Sequence, residues 1–561
     1  ENPTPPCRSR PIGGPFILQT IDSHNTLSVS FDIPIVKVFR FSEESSCTFH
    51  VCSRSVYNIS LTTLWAVSCN DSFLERIPQD KLSDESFWQE EQDAIQYSTA
   101  IYRHLIQPGN HMVMLDAYTD NAIPVHIHAE QGDISSCTAT ASNPHFKQVW
   151  QDAYRGIRRC NIFMENIQKV KMNPEDKDVL IGEVEFLRAY FHATLLKFYG
   201  GIPILTHALE LNETIPARNS AEEVYEFIVK ECDNAAKKLP LQRTESNEIG
   251  RANKGAALAL KAHIAYLMKK YDVAAQAAKE VMDLGIYKLF DNYGGLFEKA
   301  NENNCEVIFD HQYMDNALDY LYTGSWIDQY FSPLMMGGWE ALSPTQDLID
   351  SYECIDGKSI ETSPLYNPEK PYENRDPRLA YSILWHGCEF AGMTYSTMGT
   401  MGNGNATRTG YTMRKYIDAT NMGNEYPGAI NYILFRYAEM LLIYAESMNE
   451  LNGPTADVYA AVNQVRQRPS VELPQLPAGL TKDQMREAIR HERRVEFVFE
   501  GIHLFETRSW RTTEACVNKP AYGCTYDGQK VLIEQRKFNP EKDYLWAIPL
   551  TEIDLAKGSL V

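Results

Sequence analysis

No block of Lys or Arg stands out in this chain of 561 residues, whose formal net charge is −21. A protein that binds DNA or RNA regardless of sequence needs a basic stripe to displace phosphate counterions, so nucleic acid is set aside as a partner. The acidic balance reads as solubility rather than as the mark of a charged partner. No apolar run approaches the ~18–20 residues that a membrane-spanning helix requires. None of the 12 cysteines forms a CxxC pair, which argues against a zinc ribbon. There is no GxSxG elbow, P-loop or HExxH helix, and Gly337-Gly338 makes no nucleotide fingerprint. No cofactor is expected.

What the chain does have is apolar content and helix signals. Hydrophobic residues make up 44%, enough for a large core. Asn143-Pro144 and Asn173-Pro174 each supply a cap and a first-turn proline before a long amphipathic run, and Gly200-Gly201 with Pro203 stops the second run. Ser220 with Glu223, and Thr481 with Gln484, have the spacing of capping boxes. Residues 252–285 read as a tight Ala-rich helical pair. A further helix is expected over YILFRYAEMLLIYAESMNELNG, with Ala438, Leu441, Leu442, Ala445 and Met448 on one stripe. These pairs look like tetratricopeptide-type units with irregular spacing. Residues 286–343 and 352–433 are instead loop-rich, with many Gly, Asn, Tyr and Trp, and long irregular segments of this kind are usually functional. The expected fold is mainly α: a helical scaffold at about 87–285 and 434–510, carrying a loop-rich ligand-binding region at about 286–433.

The stretch Ile59–Val67 is too short to span a membrane but suits a secretion-signal core, with Arg54 as lead-in and small residues Ala66, Val67 and Ser68 before Cys69. Cys69 would then be the first mature residue and a lipid acceptor, and residues 1–68 would be absent from the working protein. A short buried strand or helix fits the same letters equally well. Cys516 and Cys524 bracket a loop and are read either as a bridge or as two thiols.

Four stretches, 186–205, 253–283, 434–453 and 489–510, occur in the order and approximate spacing of the SusD/RagB family. SPTQDLIDSYECIDGK (343–358), YLWAIPLTEIDL (544–555) and the start at Cys69 resemble that family as well, so the resemblance covers about Cys69 to the end as a single domain, 69–561. Two departures stand out: Ala66 occupies a position where lipid signals usually have Leu, and the chain stops at KGSLV where the family usually continues. The resemblance implies a surface-exposed outer-membrane lipoprotein, anchored by lipid at Cys69, that binds a nutrient. The nutrient is usually a glycan, with peptide as a further option. It also implies delivery to a SusC-type TonB-dependent outer-membrane barrel.

Residues 311–343 hold Tyr313, Tyr320, Tyr322, Trp326, Tyr330 and Trp339 with no sustained period. Aromatic faces suit the C–H face of a sugar ring, and their OH or NH groups reach its hydroxyls. Any one ring, taken alone, reads first as packing for the loops. Contact with ligand is expected from at least one or two, first from Trp326 and Trp339, with Asp319, Asp328 and Gln329 nearby. A second candidate is MLDAYTDN, where Asp116, Tyr118 and Asp120 alternate and would point to one side of an extended backbone, unless this is an ordinary polar turn. Glu492, Glu496 and Glu500 recur every four residues beside arginines, which suggests a structural ion-pair network with Arg436, Glu439 and Glu446 rather than the paired carboxylates of a glycosidase. Arg188, which interrupts an apolar helix face, follows the same logic. His126 and His128 would share a side of a strand but lack an evident third ligand, so no metal is expected. The expected function is non-catalytic glycan capture; a glycoside hydrolase and a helical protein-binding scaffold are the alternatives.

Overall fold

The computed structural model describes residues 87–105, 112–126, 130–314, 324–398, 406–421 and 428–560. The candidates Cys69, Tyr320 and Tyr322, like residues 1–68, lie outside the described residues.

The expected caps set the helices. Asn143 accepts from the His145 amide at the head of α2 (Pro144–Asn166), after α1 (Glu91–Tyr102). Asn173 accepts from Glu175 at the head of α3 (Pro174–Tyr199), which ends where Gly200 takes φ 74°. A capping box of Ser220 and Glu223 opens α4 (Ala221–Lys238), and Asn253 caps α5 (Lys254–Leu267), followed by α6 (Tyr271–Asp283). Each α-helix from α2 to α6 packs on the next, because each carries apolar residues that its neighbour covers. The approach is tight at Gly156 of α2, where a Cβ would fall 2.5 Å from the Phe191 ring of α3. Ala256, Ala257, Ala259, Ala262 and Ala265 of α5 are fully buried, which lets both neighbours come near its backbone. Arg188 of α3 bonds Glu231 of α4 at 2.7 Å and Asn161 of α2 at 3.0 Å, so one guanidinium ties three helices.

After the short α7 (Ile327–Phe331), four longer elements close the array: α8 (Tyr437–Asn452), α9 (Ala456–Arg466), α10 (Lys482–Glu496) and α11 (His503–Trp510). Helix α8 packs on α6, α9 and α10. The expected helix over 432–453 is corrected at its start: Tyr432–Arg436 is a strand, paired antiparallel with Val307–His311. Extension there carries Arg436 into the interior, where its guanidinium finds acids. The expected stripe on α8 is buried at Ala438, Leu441, Leu442 and Ala445, with Met448 half-buried, but burial is wider than a stripe, since every residue from 438 to 447 is buried. The described strands form five two-stranded sheets, all antiparallel, none large enough to organise the core. Cys516 and Cys524 are both free thiols.

The anticipated charge network is present at the centre. Glu496 accepts from Arg436 at 2.7 Å, Arg468 at 2.9 Å and Arg378 at 2.9 Å. Glu492 binds Arg378 at 2.5 Å and Arg466 at 2.9 Å, and Glu306 binds Arg436 at 2.8 Å and Arg468 at 2.6 Å. Helix α10 stops at Glu496, so Glu500 is not on the same helical face as expected. A turn with Phe499 at φ 64° swings it back to Arg436 at 2.7 Å and Lys415 at 2.5 Å. On its flank, Glu439 meets His263 at 2.6 Å, and Glu446 meets Tyr266 at 2.6 Å and Arg490 at 3.0 Å. Asp376 and Glu353 extend the network outward through Arg378 and Arg466. Burial alone would push the Glu496 carboxyl up, but Arg468, Arg436 and Arg378 outweigh it and hold it well below the ordinary carboxylate range.

Removing one acid from such a set leaves arginines buried without compensation, so Glu496→Gln should cost ~3–5 kcal/mol in urea unfolding at neutral pH. The carboxyl is depressed in the folded state, so its contribution is full above the unfolded value of ~4.3 and is lost as pH falls. Glu496→Gln should therefore lose less stability than wild type on going from about pH 5 to pH 3. A neutral-pH cost below ~1 kcal/mol would show that the lattice does not depend on this acid.

Candidate ligand-binding surface

Trp326 caps α7, and Tyr330 lies one turn further on, so their rings meet edge to face at 5.6 Å and 63°. The chain then turns back on itself. Trp339 donates its backbone N–H to Gln329 at 3.0 Å, and Ala341 donates to Tyr330 at 2.7 Å. This return needs Gly337 at φ 91°, and Gly338 leaves no room for a Cβ beside Ser332. It sets the Trp339 ring 5.0 Å from Tyr330, again at 63°. Trp339 is 41% exposed, while Trp326 and Tyr330 are half-buried and Tyr330 packs on the core. Of the expected rings, three are thus gathered into one faceted surface with a firm backing. Tyr313 stands apart, stacked on His311 at 4.6 Å.

A cleft of about 780 Å³ lies in the same loop-rich region, between residues 292–300, Tyr381, 389–392 and 414–420. Phe297, Phe390 and Tyr416 give it apolar walls, and Glu298, Lys299, Glu389, Arg414 and Asp418 give it charge. Sequence reasoning missed these residues individually. Their only signal was membership of a long irregular segment rich in Gly and aromatics. At its wall sits Lys415, whose ammonium also bonds Glu500, Tyr293 and the Val498 carbonyl, so the cleft is built directly on the central lattice. Its loop 417–421 is tied to α7 by Asp328, which accepts from the Asp418 amide at 3.0 Å and from Asn421 at 2.9 Å.

Several expectations are corrected. Asp328 does not face a ligand: it is 3% exposed and fully engaged in that tie. Asp116, Tyr118 and Asp120 do not alternate along an extended strand, because Val113–Tyr118 is a 3₁₀ helix inside the molecule. Asp116 bonds Asn121 at 2.6 Å and the Phe499 amide at 3.0 Å. Asp120 bonds His503 at 3.0 Å and pairs with Arg494 at 3.0 Å. Tyr118 is 7% exposed and packs near Trp546. The two aspartates hold the interior together and face no ligand, while Tyr118 lines an internal cavity beside Trp546. Glu492 and Glu496 are fully buried among arginines and cannot flank a sugar. Among the described residues no group of three or more His, Cys, Asp or Glu is placed to hold a metal, and His128 lies outside them.

The chain matches the pattern of the SusD family over residues 305–559. Over residues 72–267 it matches a second pattern, described as starch-binding and associating with outer membrane. A SusD-like protein of Formosa agariphila is 24% identical over 491 residues, 81% of this chain and 90% of that protein. A SusD-like carbohydrate-binding protein of Bacteroides fragilis is 30% identical and superposes with a TM-score of 0.78, over 84% of this chain and 99% of that one. A surface glycan-binding protein of Bacteroides thetaiotaomicron, solved in complex with laminarihexaose, shares the fold at a TM-score of 0.65 and 19% identity, over 84% of this chain and 99% of that one.

Burial raises the Asp328 carboxyl from 3.8 to about 6. In that window the folded chain holds a proton that the unfolded chain has released, so stability falls as pH rises through it. Asp328→Asn, with Asn421 flipping its amide to match, should flatten this slope and raise stability at neutral pH by ~1–3 kcal/mol. Calorimetric melting at pH 4 and pH 7.5 checks it; an unchanged difference between the two pH values goes against it.

Proposed function

This chain belongs to the SusD/RagB family of carbohydrate-binding proteins, and from that premise we propose that it captures glycans at the ring surface of Trp326, Tyr330 and Trp339 without chemically altering them. The observation that carries the reading is an exposed indole backed by two further rings on a hydrogen-bonded turn, beside a large cleft in the same region. Sugar rings present C–H faces to such platforms, and ordered backing lowers the entropy lost on binding. The charged cleft wall offers donors and acceptors for sugar hydroxyls.

In this reading Cys69 carries the lipid anchor at the outer-membrane surface, where more than one acyl chain gives stable attachment. The captured glycan passes to a SusC-type TonB-dependent barrel, with the helical array as the rigid body that docks there. Peptide remains a second ligand class for the same surface. Hydrolysis is disfavoured by the sequestration of Glu492 and Glu496 among arginines.

Calorimetric titration with neutral oligosaccharides, laminarihexaose among them, tests capture. Trp339→Ala and Trp326→Ala should each weaken binding about tenfold or more, corresponding to ~1.4 kcal/mol, with melting temperature little changed. Unaltered affinity in both variants moves the site elsewhere. Turnover of a bound glycan that is lost on removing Glu389 or Asp418 would replace capture by hydrolysis. Recovery of a TonB-dependent barrel with the tagged protein from outer membranes tests the delivery step.

A further inference from the structure

A second site, away from the ring surface, is marked by donors that have nothing to donate to. Arg508 lies in the last turn of α11. Its Nε and Nη1 are buried and have no hydrogen-bond partner among the described residues, and the same holds for Nε1 of Trp546, a residue 5% exposed. A buried donor left unmatched costs ~1–3 kcal/mol, more when charged, so an acceptor entering this space, from water or from a ligand, would relieve two groups at once. Both residues line a cavity of about 260 Å³. Arg508 also lines a second cavity of about 440 Å³, and the two share Arg508, Lys542 and Leu545 as a common wall.

Charge in both cavities has one sign in excess. Arg218, Arg508 and Lys542 face only Asp543 in the first, and Lys197, Arg508, Arg511 and Lys542 face only Glu541 in the second. Burial pushes the Arg508 guanidinium down to about 10, with Asp543 partly offsetting, so it stays cationic at neutral pH. Burial likewise pushes Lys197 down to about 8. The rest of the first cavity is largely apolar, with Tyr118, Phe146, Tyr199, Phe538 and Trp546 among aliphatic and small side chains. Cations alone would suit a free ion. Cations set among aromatic walls suit an oxyanion carried on a ring with C–H faces.

We propose that the paired cavities around Arg508 bind an acidic sugar, with its uronate carboxylate or sulfate ester accepting from Arg508 and Trp546. The site goes beyond the neutral-glycan surface at Trp326 and Trp339 and does not depend on it. Lys542, whose side chain is 49% exposed, stands within reach of solvent and of both cavities, and receives the anion as it enters.

Calorimetric or ligand-observed NMR titration of the full chain with galacturonate, glucose 6-sulfate, glucose and inorganic sulfate tests this. At least one acidic sugar should bind tenfold or more tightly than glucose and than sulfate alone, and binding should weaken with added salt. Arg508→Met should abolish that preference, Lys542→Gln should reduce affinity several-fold, and Trp339→Ala should leave it unchanged. Removing an unmatched buried charge, Arg508→Met should also fold with an unchanged or raised melting temperature. Equal binding of glucose, equal binding of inorganic sulfate, no binding of any probe, or an unaffected Arg508→Met would each overturn the proposal. A loss confined to Trp339→Ala would place acidic sugars on the ring surface and overturn it too. Failure here leaves neutral-glycan capture standing, because that is read separately with uncharged oligosaccharides and ring variants.

Discussion

The buried exchange of charge between Glu496 and its three arginines is the contact on which the remaining architecture rests. Each partner arrives from a different part of the chain: Arg378 from the loop-rich region, Arg436 from the strand leading into α8, and Arg468 from just beyond α9. Ion pairs of this sort add little net stability over apolar packing, but they tolerate no missing member. Their value is geometric. The fork of an arginine fixes both distance and direction, so the helical array and the irregular region are locked in one arrangement. Lys415 extends that lock to the cleft: the residue is part of the cleft wall, and its ammonium, fully buried, satisfies Glu500 behind it.

A mainly helical body with a large irregular insertion gives the chain a division of labour. Helices α2 to α6 are held by close approach, as at Gly156, and by apolar burial. The region from 286 to 433 is held by side-chain ties such as Asp328 to Asn421 and by a turn that only glycine permits. Irregular backbone held this way can display large rings at the surface without collapsing over them.

Much of the scaffold was legible from letters alone because its signals are local. Asn-Pro caps, capping boxes and the stop at Gly200 act within a few residues and are found where expected. The ion network was legible because arginines and glutamates at helical spacing in an apolar setting must meet partners. What was illegible depends on long-range burial. Asp116 and Asp120 look like polar turn residues until Phe499, His503 and Arg494, nearly four hundred residues away in sequence, are seen to cover them. The start of α8 was misread because YILFR has helix-compatible letters, and only pairing with Val307–His311 makes it a strand. Likewise the clustering of Trp326, Tyr330 and Trp339 depends on a backbone reversal that spacing does not encode.

Facets inclined at 63° to one another have a bearing on ligand shape. A stiff, ribbon-like polymer presents one plane and can lie flat on only one such ring at a time. A chain that bends from unit to unit can follow successive facets and gain from each. In the proposed capture, the tilt between neighbouring indole and phenol planes would favour a polymer by the curvature of its backbone, independently of which hydroxyls its monomers bear.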